Sequence, residues 1–514
     1  MQSNATLDYG TPPQPITYRV GTLVYTRFAL MSVFFWMLWG DLCVNIMETI
    51  IPRVVPLQLA KAGAAAATIA FVAASVPAFV ELIINPFVST YSDRYRSPLG
   101  RRRPFILFCT PILAACLIAV GFSDDLAPRL HALLGGTADG KALGMSVQTM
   151  TIVLLGALLA IFQIFNVVVL ATYYYMIADV VPQVVIGKFA AAYRVVGTLG
   201  GVIFNKFIFR YADEYEWQIY VGCAIVYVVA FLLMGWRVKE GEYPPPPKLS
   251  ESGSAVDGAK QWIRESFSIR FYQKFYLIGL FYWSAFTPST IFHQKFALED
   301  LKLSKAAAGD TFALALFVSL PLFFLLGWLS DKFHPTRVVI VGMALLGAAS
   351  FGCYFFIHDE ASFRTWTVVW TLAQTAYLGG QISLMPRMLP REQYGQYCSA
   401  NNTLCAIGKF GAPFVCGLIV GQIGNRFNYL WTGACGFAGA AACVVLYLHW
   451  KRLGGDEHYT PPMLAHGTHG MHVKAAPVDE PGDPAVRGAQ PVEASRVEAA
   501  KPDDANDPTP TAPR

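Results

Sequence analysis

Roughly twelve stretches of this chain carry about 20 mostly apolar residues in a row, the length a helix needs to cross a bilayer. They lie near 28–52, 66–90, 104–122, 149–175, 190–210, 218–236, 275–292, 311–330, 337–357, 365–387, 398–421 and 428–449. Runs such as VAASVPAFVELIINPFV and FILFCTPILAACLIAVGF cannot sit in water. Of the 514 residues, 54% are hydrophobic and 14% charged, and the mean hydropathy is +0.43, far more apolar than an average soluble domain. The expected fold is all-α, a polytopic membrane protein with the bilayer as its solvent.

Charge then sets orientation. Between the second and third apolar segments stands YSDRYRSPLGRRRPF, residues 91–105, with Arg94, Arg96, Arg101, Arg102 and Arg103 beside Asp93. Lysine and arginine in short loops are retained on the cytoplasmic side, so this loop is expected inside. By alternation Lys188, the 237–274 connection, Lys332 with Arg337, Arg387 with Arg391, and Lys451 with Arg452 also fall inside. Both termini are then cytoplasmic, in a plasma (inner) membrane. The same rule accounts for the net charge of +5, so no nucleic-acid partner is needed. The opening MQSNATLDYGTPPQP is polar, and no small-residue cleavage site follows the long first segment, so no signal peptide is expected. Ten cysteines, Cys43, Cys109, Cys116 and Cys223 among them, lack the paired spacing of a zinc site or redox disulfide. Neither a metal nor a cofactor is expected. The stretch 451–514 is rich in Pro, Ala, Asp and Glu and reads as a disordered cytoplasmic tail. Its His466, His469 and His472 recur at a three-residue spacing that could touch a metal, though a linker is the simpler reading.

The chain is also written twice. Ser92-Asp93-Arg94 closes the second segment and Ser330-Asp331-Lys332 the eighth. Pro182 and Gly187 stand between segments four and five as Pro390 and Gly395 stand between ten and eleven. Two six-helix halves follow, 27–236 and 275–450. A cytoplasmic segment, 1–26, precedes them, and a cytoplasmic linker, 237–274, joins them. PPPP at 244–247 and a Ser/Gly-rich stretch make that linker read as flexible. The first half carries a longer loop, about 123–148.

Asp93-Arg94 followed by Gly100-Arg101-Arg102-Arg103, with a weaker copy after the eighth segment, resembles the signature of the major facilitator superfamily of secondary transporters. The long spacer, Pro104-Phe105-Ile106, Ala178-Asp179 and Ala192-Tyr193 are similar to the sucrose carriers and the glycoside–pentoside–hexuronide cation symporters. QYGQY at 393–397 resembles the DYGEY-type stretch of the melibiose-carrier branch, with Lys409, Phe410 and Gly411 following, although Gln393 and Gln396 replace its acids. The resemblance spans about 27–450. It implies twelve helices in two pseudo-symmetric halves working by alternating access. It also implies a cytoplasmic gate of Asp93, Arg94, Gly100, Arg101, Arg102, Asp331 and Lys332, whose charges pair with helix ends of the neighbouring half. An arginine placed like Arg194 contacts sugar in the melibiose-type carriers.

Asp41, Glu48, Glu81, Arg194 and Lys409 stand inside the apolar segments, where a charge costs a few kcal/mol and defaults to a functional candidate. At about 1.5 Å per residue, Glu81 lies about 18 Å from Asp93, Asp41 about 21 Å from Arg27 and Lys409 about 18 Å from Tyr397, so the three share the midplane. Arg194, about 10 Å past Gly187, is shallower. Asp41, Asn45 and Glu48 share one helical face, yet Glu48 could equally be interfacial. Gln374, Tyr377 and Gln381 with Trp370, Gln163 with Asn166, and Asn401 with Asn402 offer hydrogen bonds, for a sugar or as glue between helices. The expected substrate residues are Asp41, Arg194, Lys409, Gln374 and Tyr377; those for cation coupling are Glu81, Asp41 and Asn85. The melibiose-type sodium site uses two acids four apart on helix 2 and a third on helix 4. Here Glu81 matches the first, Asn85 stands at the second, and helix 4 has no mid-helix acid. One carboxylate cages sodium less well than three, so a proton is expected. The reading is proton-coupled import of a glycoside, a disaccharide, by a monomer in the lipid bilayer. The alternatives are symport or export of another polar solute, or a membrane sensor on a carrier fold. With no nucleophile–base pair, metal spacing or phosphate loop, the chain is not expected to be an enzyme.

Overall fold

The computed structural model describes residues 18–20, 22–136, 141–182, 185–242, 255–390, 394–464 and 473–474. The apolar stretches are helices. In the first half these are α1 (Arg27–Lys61), α2 (Ala66–Ala70) continued through a π-helical turn into α3 (Val76–Arg94), α4 (Arg103–Gly121), α6 (Val147–Val180), α7 (Ile186–Ile203) and α8 (Glu216–Arg237). In the second they are α10 (Arg270–Lys295), α11 (Lys305–Phe333), α12 (Pro335–Phe356), α13 (Glu360–Met388), α14 (Tyr394–Ile423) and α15 (Phe427–Arg452). Among the described residues, nine spans are long and apolar enough to cross a membrane by length and composition. The long helices outside that set, α7, α10 and α13, carry Arg194, Gln294 and Gln374.

Local chemistry sets the helix starts. The Ser304 hydroxyl accepts the Ala307 amide at 3.1 Å at the head of α11, and Ser146 accepts Thr149 at 3.2 Å at the head of α6. Asp359 and Ser362 close a reciprocal capping box on α13. Pro104 and Pro335 sit in first turns, where a missing amide costs nothing.

The two halves pack alike. In the first, α1 lies against α7 and α8, α4 against α6 and α8, and α3 against α6; in the second, α10 lies against α14 and α15, α12 against α13 and α15, and α11 against α13. Position for position, these are the same pairings. Across the seam α2 and α3 meet α14, α7 meets α11, and α1 meets α10.

Three stretches depart from expectation. Within the linker, α9 (Ala255–Ser268) is helical, and the Gln396 amide donates to Glu265 at 3.2 Å and Ser266 at 3.3 Å. An amphipathic segment docked on α14 is not flexible, while 243–254 lie outside the described residues. The loop at 123–148 contains α5 (Ser123–Leu133), pinned where the Ala142 amide donates to the buried His131 ring at 3.1 Å. The expected disordered tail is ordered to Leu464. It includes α16 (Gly455–His458), Asp456 paired with Arg337 at 2.6 Å, and Tyr459 donating to the Met388 carbonyl at 2.8 Å. Composition hid this because buried Trp450 and half-buried Tyr459 anchor the segment to the helix ends. His466, His469, His472 and 475–514 lie outside the described residues. Two short antiparallel hairpins complete the fold, β1 (Tyr18–Val20) with β2 (Leu23–Tyr25), and β3 (Met463–Leu464) with β4 (Val473–Lys474).

His334 joins α11 to α12 in a left-handed conformation, φ 68°, with its ring 4.3 Å from Trp450. Burial, reinforced by Arg387 and Arg337 against the pull of Asp456, holds its pKa down at about 4. The unfolded chain therefore takes up the proton first. The stability of this corner is full above the ordinary histidine pKa of about 6.5 and is lost as pH falls toward about 4. His334→Asn keeps the left-handed tolerance and removes the titration. Between about pH 7.5 and about pH 4.5 its unfolding midpoint in detergent is expected to fall less than that of the unmodified protein; equal falls would remove His334 from the account.

Candidate functional site

At mid-bundle the two halves share a charge pair. Lys409 Nζ, on α14, lies 3.1 Å and 3.3 Å from the carboxylate oxygens of Glu81, on α3. The ammonium also stands 4.3 Å over the Trp283 ring of α10. Depth counted along straight helices put Glu81, Asp41 and Lys409 at one level and left open which acid Lys409 meets. Glu48, on α1, belongs to the same group. It accepts the Asn166 amide at 2.7 Å and lies within electrostatic reach of both Glu81 and Lys409. Its exposure therefore opens into the bundle interior rather than marking an interfacial residue. Asn85 lies one turn along α3 and is half-buried.

Asp41 anchors a second group. It is fully buried, and one oxygen accepts the Asn45 amide at 3.0 Å. Its Oδ2 has no well-formed hydrogen bond among the described residues, with Tyr193 and Arg194 the near polar neighbours. Two glycines bring α7 this close. A Cβ on Gly197 would stand 3.0 Å from Asp41 Oδ2 and from the Asn45 amide, and one on Gly200 2.9 Å from the Leu42 carbonyl. The Arg194 guanidinium lies 5.4 Å over Phe323 of α11, so it touches the other half.

The second half supplies an aromatic wall. Tyr282 stacks on Tyr377 with centroids 3.9 Å apart and on Phe286 at 5.8 Å, and the Gln374 amide donates to its hydroxyl at 3.4 Å. Tyr377, expected to touch substrate, is fully buried, as is Tyr282, and the two rings support each other. Tyr282 is the ring of this stack within electrostatic reach of Arg194.

Among the described residues, the arginine-rich loop bonds the end of α6 and the segment after α8. Arg101 grips Asp179 at the end of α6 with two bonds, 2.5 and 3.1 Å, and Arg102 reaches the same carboxylate at 3.5 Å while also bonding Ser92. The Glu240 carboxylate accepts the backbone amides of Arg101, Arg102 and Arg103 at 2.7–2.9 Å. Gly100 makes that cradle possible: its φ is +108°, and a Cβ there would lie 2.7 Å from the Glu240 carboxyl carbon. Lys332 lies over the Trp328 and Phe333 rings, at 4.8 and 5.3 Å. The side chains of Asp93, Arg94 and Asp331 lie outside the described residues.

At the opposite end the seam is polar in places that sequence reasoning passed over. Arg53 donates to Gln294 at 3.1 Å, the Gln294 amide returns to the Arg53 carbonyl at 2.7 Å, and the guanidinium stands 3.8 Å over Phe312. Lys206 pairs with Asp310 at 2.9 Å and Lys305 with Asp213. Ending the first span at residue 52 left Arg53 outside; the continued apolar periodicity through Val54, Val55 and Leu59 was the signal that could have found it.

Comparison with known proteins agrees with this geometry. The sequence profile of the Major Facilitator Superfamily matches residues 37–413. A sucrose transport protein, SUT3, of Oryza sativa subsp. indica is 47% identical over 60 residues, 12% of this chain and 11% of that protein. Another, SUC3 of Arabidopsis thaliana, is 44% identical over 45 residues, 9% of this chain and 8% of that protein. The match therefore reaches only about a tenth of the length of these curated relatives. Among solved structures, a POT family transporter in complex with 5-aminolevulinic acid superposes with a TM-score of 0.61 at 11% identity, covering 83% of this chain and 97% of that one. The inward open xylose transporter XylE from E. coli gives 0.57 at 15% identity, covering 81% and 95%. At such identities the likeness is one of fold.

Glu81 and Lys409 are 37% and 21% exposed, so breaking the pair is expected to cost less than the 3–5 kcal/mol of a fully buried one, about 1–3 kcal/mol. Lys409→Ala alone strands a carboxylate, whereas Lys409→Ala with Glu81→Gln strands nothing. The double variant is expected to unfold in detergent at a higher temperature than either single variant. A double variant no more stable than the weaker single one would show that the pair carries no mutual stabilisation.

Proposed function

We propose, from the premise that the chain belongs to the Major Facilitator Superfamily, that it is a proton-coupled symporter of a glycoside, a disaccharide, working by alternating access. As a member of that family it is a multi-pass membrane transporter and not an enzyme. The observation that carries the finer reading is the Glu81–Lys409 pair across the seam. When the halves rock apart, each charge must find another partner or be neutralised, since neither is stable alone in hydrocarbon. A proton on Glu81 releases Lys409, and Glu48, already within its electrostatic reach, is the waiting acceptor. One ammonium between two carboxylates thus links proton uptake to movement. The ammonium occupies the space a sodium ion would need, which favours the proton.

The sugar rests on two supports. The stretch similar to sucrose transport proteins is one. The other is the pairing of acids and amides at Asp41, Asn45, Glu48 and Asn166 with the Tyr282 stack, the mixture of hydrogen bonds and flat apolar faces that a glycoside requires. Arg194, Lys409, Asp41 and Gln374 are assigned to hold the sugar, with Tyr377 fixing Tyr282 behind them. The gate residues Asp93, Arg94, Gly100, Arg101, Arg102, Asp331 and Lys332 are assigned to the basic end; with basic loops retained inside, we read both termini as cytoplasmic and the transporter as a monomer of the plasma membrane.

Glu81→Gln mimics permanent protonation. In proteoliposomes it is expected to retain sucrose binding and sucrose exchange between the two sides but to abolish accumulation driven by a pH gradient. Accumulation by the variant with pH as the only driving force would move the proton elsewhere. In the unmodified protein, uptake driven by sodium alone would overturn proton coupling, and binding without accumulation would indicate a sensor.

Arg194→Ala and Lys409→Ala are each expected to raise the sugar dissociation constant about tenfold, the scale of one lost charge-assisted hydrogen bond. Calorimetry with the purified protein measures this, and unchanged affinity in both would place the sugar site away from them.

A further inference from the structure

On the outer surface of the second half, far from the charges between the halves, a groove of about 830 Å³ is cut between three helices. Its floor is α13, through Ala373 and Ala376; its walls are α11, through Leu326 and Leu329, and α12, through Val341 and Leu345. It exists because α12 seats directly on α13, where a Cβ on Gly342 would lie 2.6 Å from the Tyr377 amide, and α11 seats on α13 at Gly379. With both walls held to one floor and only lightly in contact with each other, the space between them stays open. These helices span the membrane, so the medium that fills the groove is hydrocarbon.

The two ends differ in chemistry. Trp366 closes one, its ring packed against Gly352 and stacked on Phe356 at 5.4 Å. Arg337 lines the other, at the basic end of the bundle. Around it stand Lys332, lying 5.3 Å over the groove residue Phe333, and Lys451, lying 5.2 Å over the Tyr447 ring to which Arg337 also donates. Among the described side chains Asp456 is the carboxylate paired with Arg337, and Arg387 also stands near this corner, so cations outnumber anions there. Along α12 the lining runs from Arg337 to Ala349, about 18 Å at 1.5 Å per residue. That is slightly more than half of a hydrocarbon core about 30 Å thick, the depth of one leaflet.

We propose that this groove is a binding site for one anionic phospholipid of the leaflet on the basic side. An acyl chain lies between α11 and α12 down to Trp366, and the headgroup phosphate sits among Lys332, Arg337 and Lys451. An apolar slot one leaflet deep selects a chain, and a net positive mouth selects an anionic headgroup over a zwitterionic one.

The test uses the full-length protein purified in mild detergent, with native mass spectrometry of adducts formed with phosphatidylglycerol or phosphatidylcholine of identical acyl chains. One phosphatidylglycerol is expected to be retained in preference to phosphatidylcholine. Lys332→Ala and Lys451→Ala are each expected to reduce that retention about fivefold, the scale of one basic residue lost beside an anionic headgroup. Ala348→Trp and Val341→Trp, at exposed positions of the lining, fill the groove without touching the core and are expected to abolish retention of both lipids while leaving the elution profile of the folded protein unchanged. Equal retention of the two lipids by the unmodified protein would overturn the proposal, and that comparison stands even if the tryptophan variants fail to fold. Undiminished retention in folded tryptophan variants would overturn it as well.

Discussion

A charge within hydrocarbon is costly without a partner, and Glu81 and Lys409 find theirs across the seam between the two halves. Glu81 on α3 and Lys409 on α14 satisfy each other at 3.1 Å, with Glu48 near enough to compete for the same ammonium. Desolvation makes such a pair a weak source of stability but a strict constraint on geometry, because parting it without compensation is expensive. In the proposed mechanism, motion between the halves is therefore tied to a change in protonation or to a polar ligand. The rest of the polar interior is arranged around that obligation. Asp41 is held against α7 by two glycines, Arg194 reaches α11, and Gln374 steadies Tyr282.

Each half, by contrast, is closed on itself. The acid that follows its sixth helix binds the connection between its second and third: Glu240 cradles the amides of residues 101–103, and Asp456 pairs with Arg337 at the start of α12. Arg101 and Asp179 add a bidentate bond within the first half. These contacts tie each half's basic connection to its own helix ends. The seam between them rests on small residues and isolated polar pairs, such as Gly417 against Ala67, Ser75 donating to the Phe410 carbonyl at 2.5 Å, and Arg53 with Gln294.

The apolar spans, the twofold repeat and the mid-depth of Asp41, Glu81 and Lys409 could all be read from the chain, because each depends on local periodicity. Twenty apolar residues make a helix in a bilayer whatever lies beside them, and a constant rise per residue turns sequence separation into depth. Azimuth and neighbourhood are different matters. Nothing in the local pattern says that Tyr377 stacks on Tyr282, that Arg101 bonds Asp179, that Glu240 occupies the turn at Gly100, or that Arg53 meets Gln294. Nor does composition separate a free linker from α9, which is ordered by docking on α14, or a free tail from 453–464, which is anchored by buried Trp450 and half-buried Tyr459. The sequence by itself determined the membrane, the repeat and the level at which charge is buried. Only the tertiary structure decided which charges meet, because that depends on the helix faces turned toward one another, and those are set by close contacts at residues such as Gly197 and Gly342 distant in the chain from the groups they bring together.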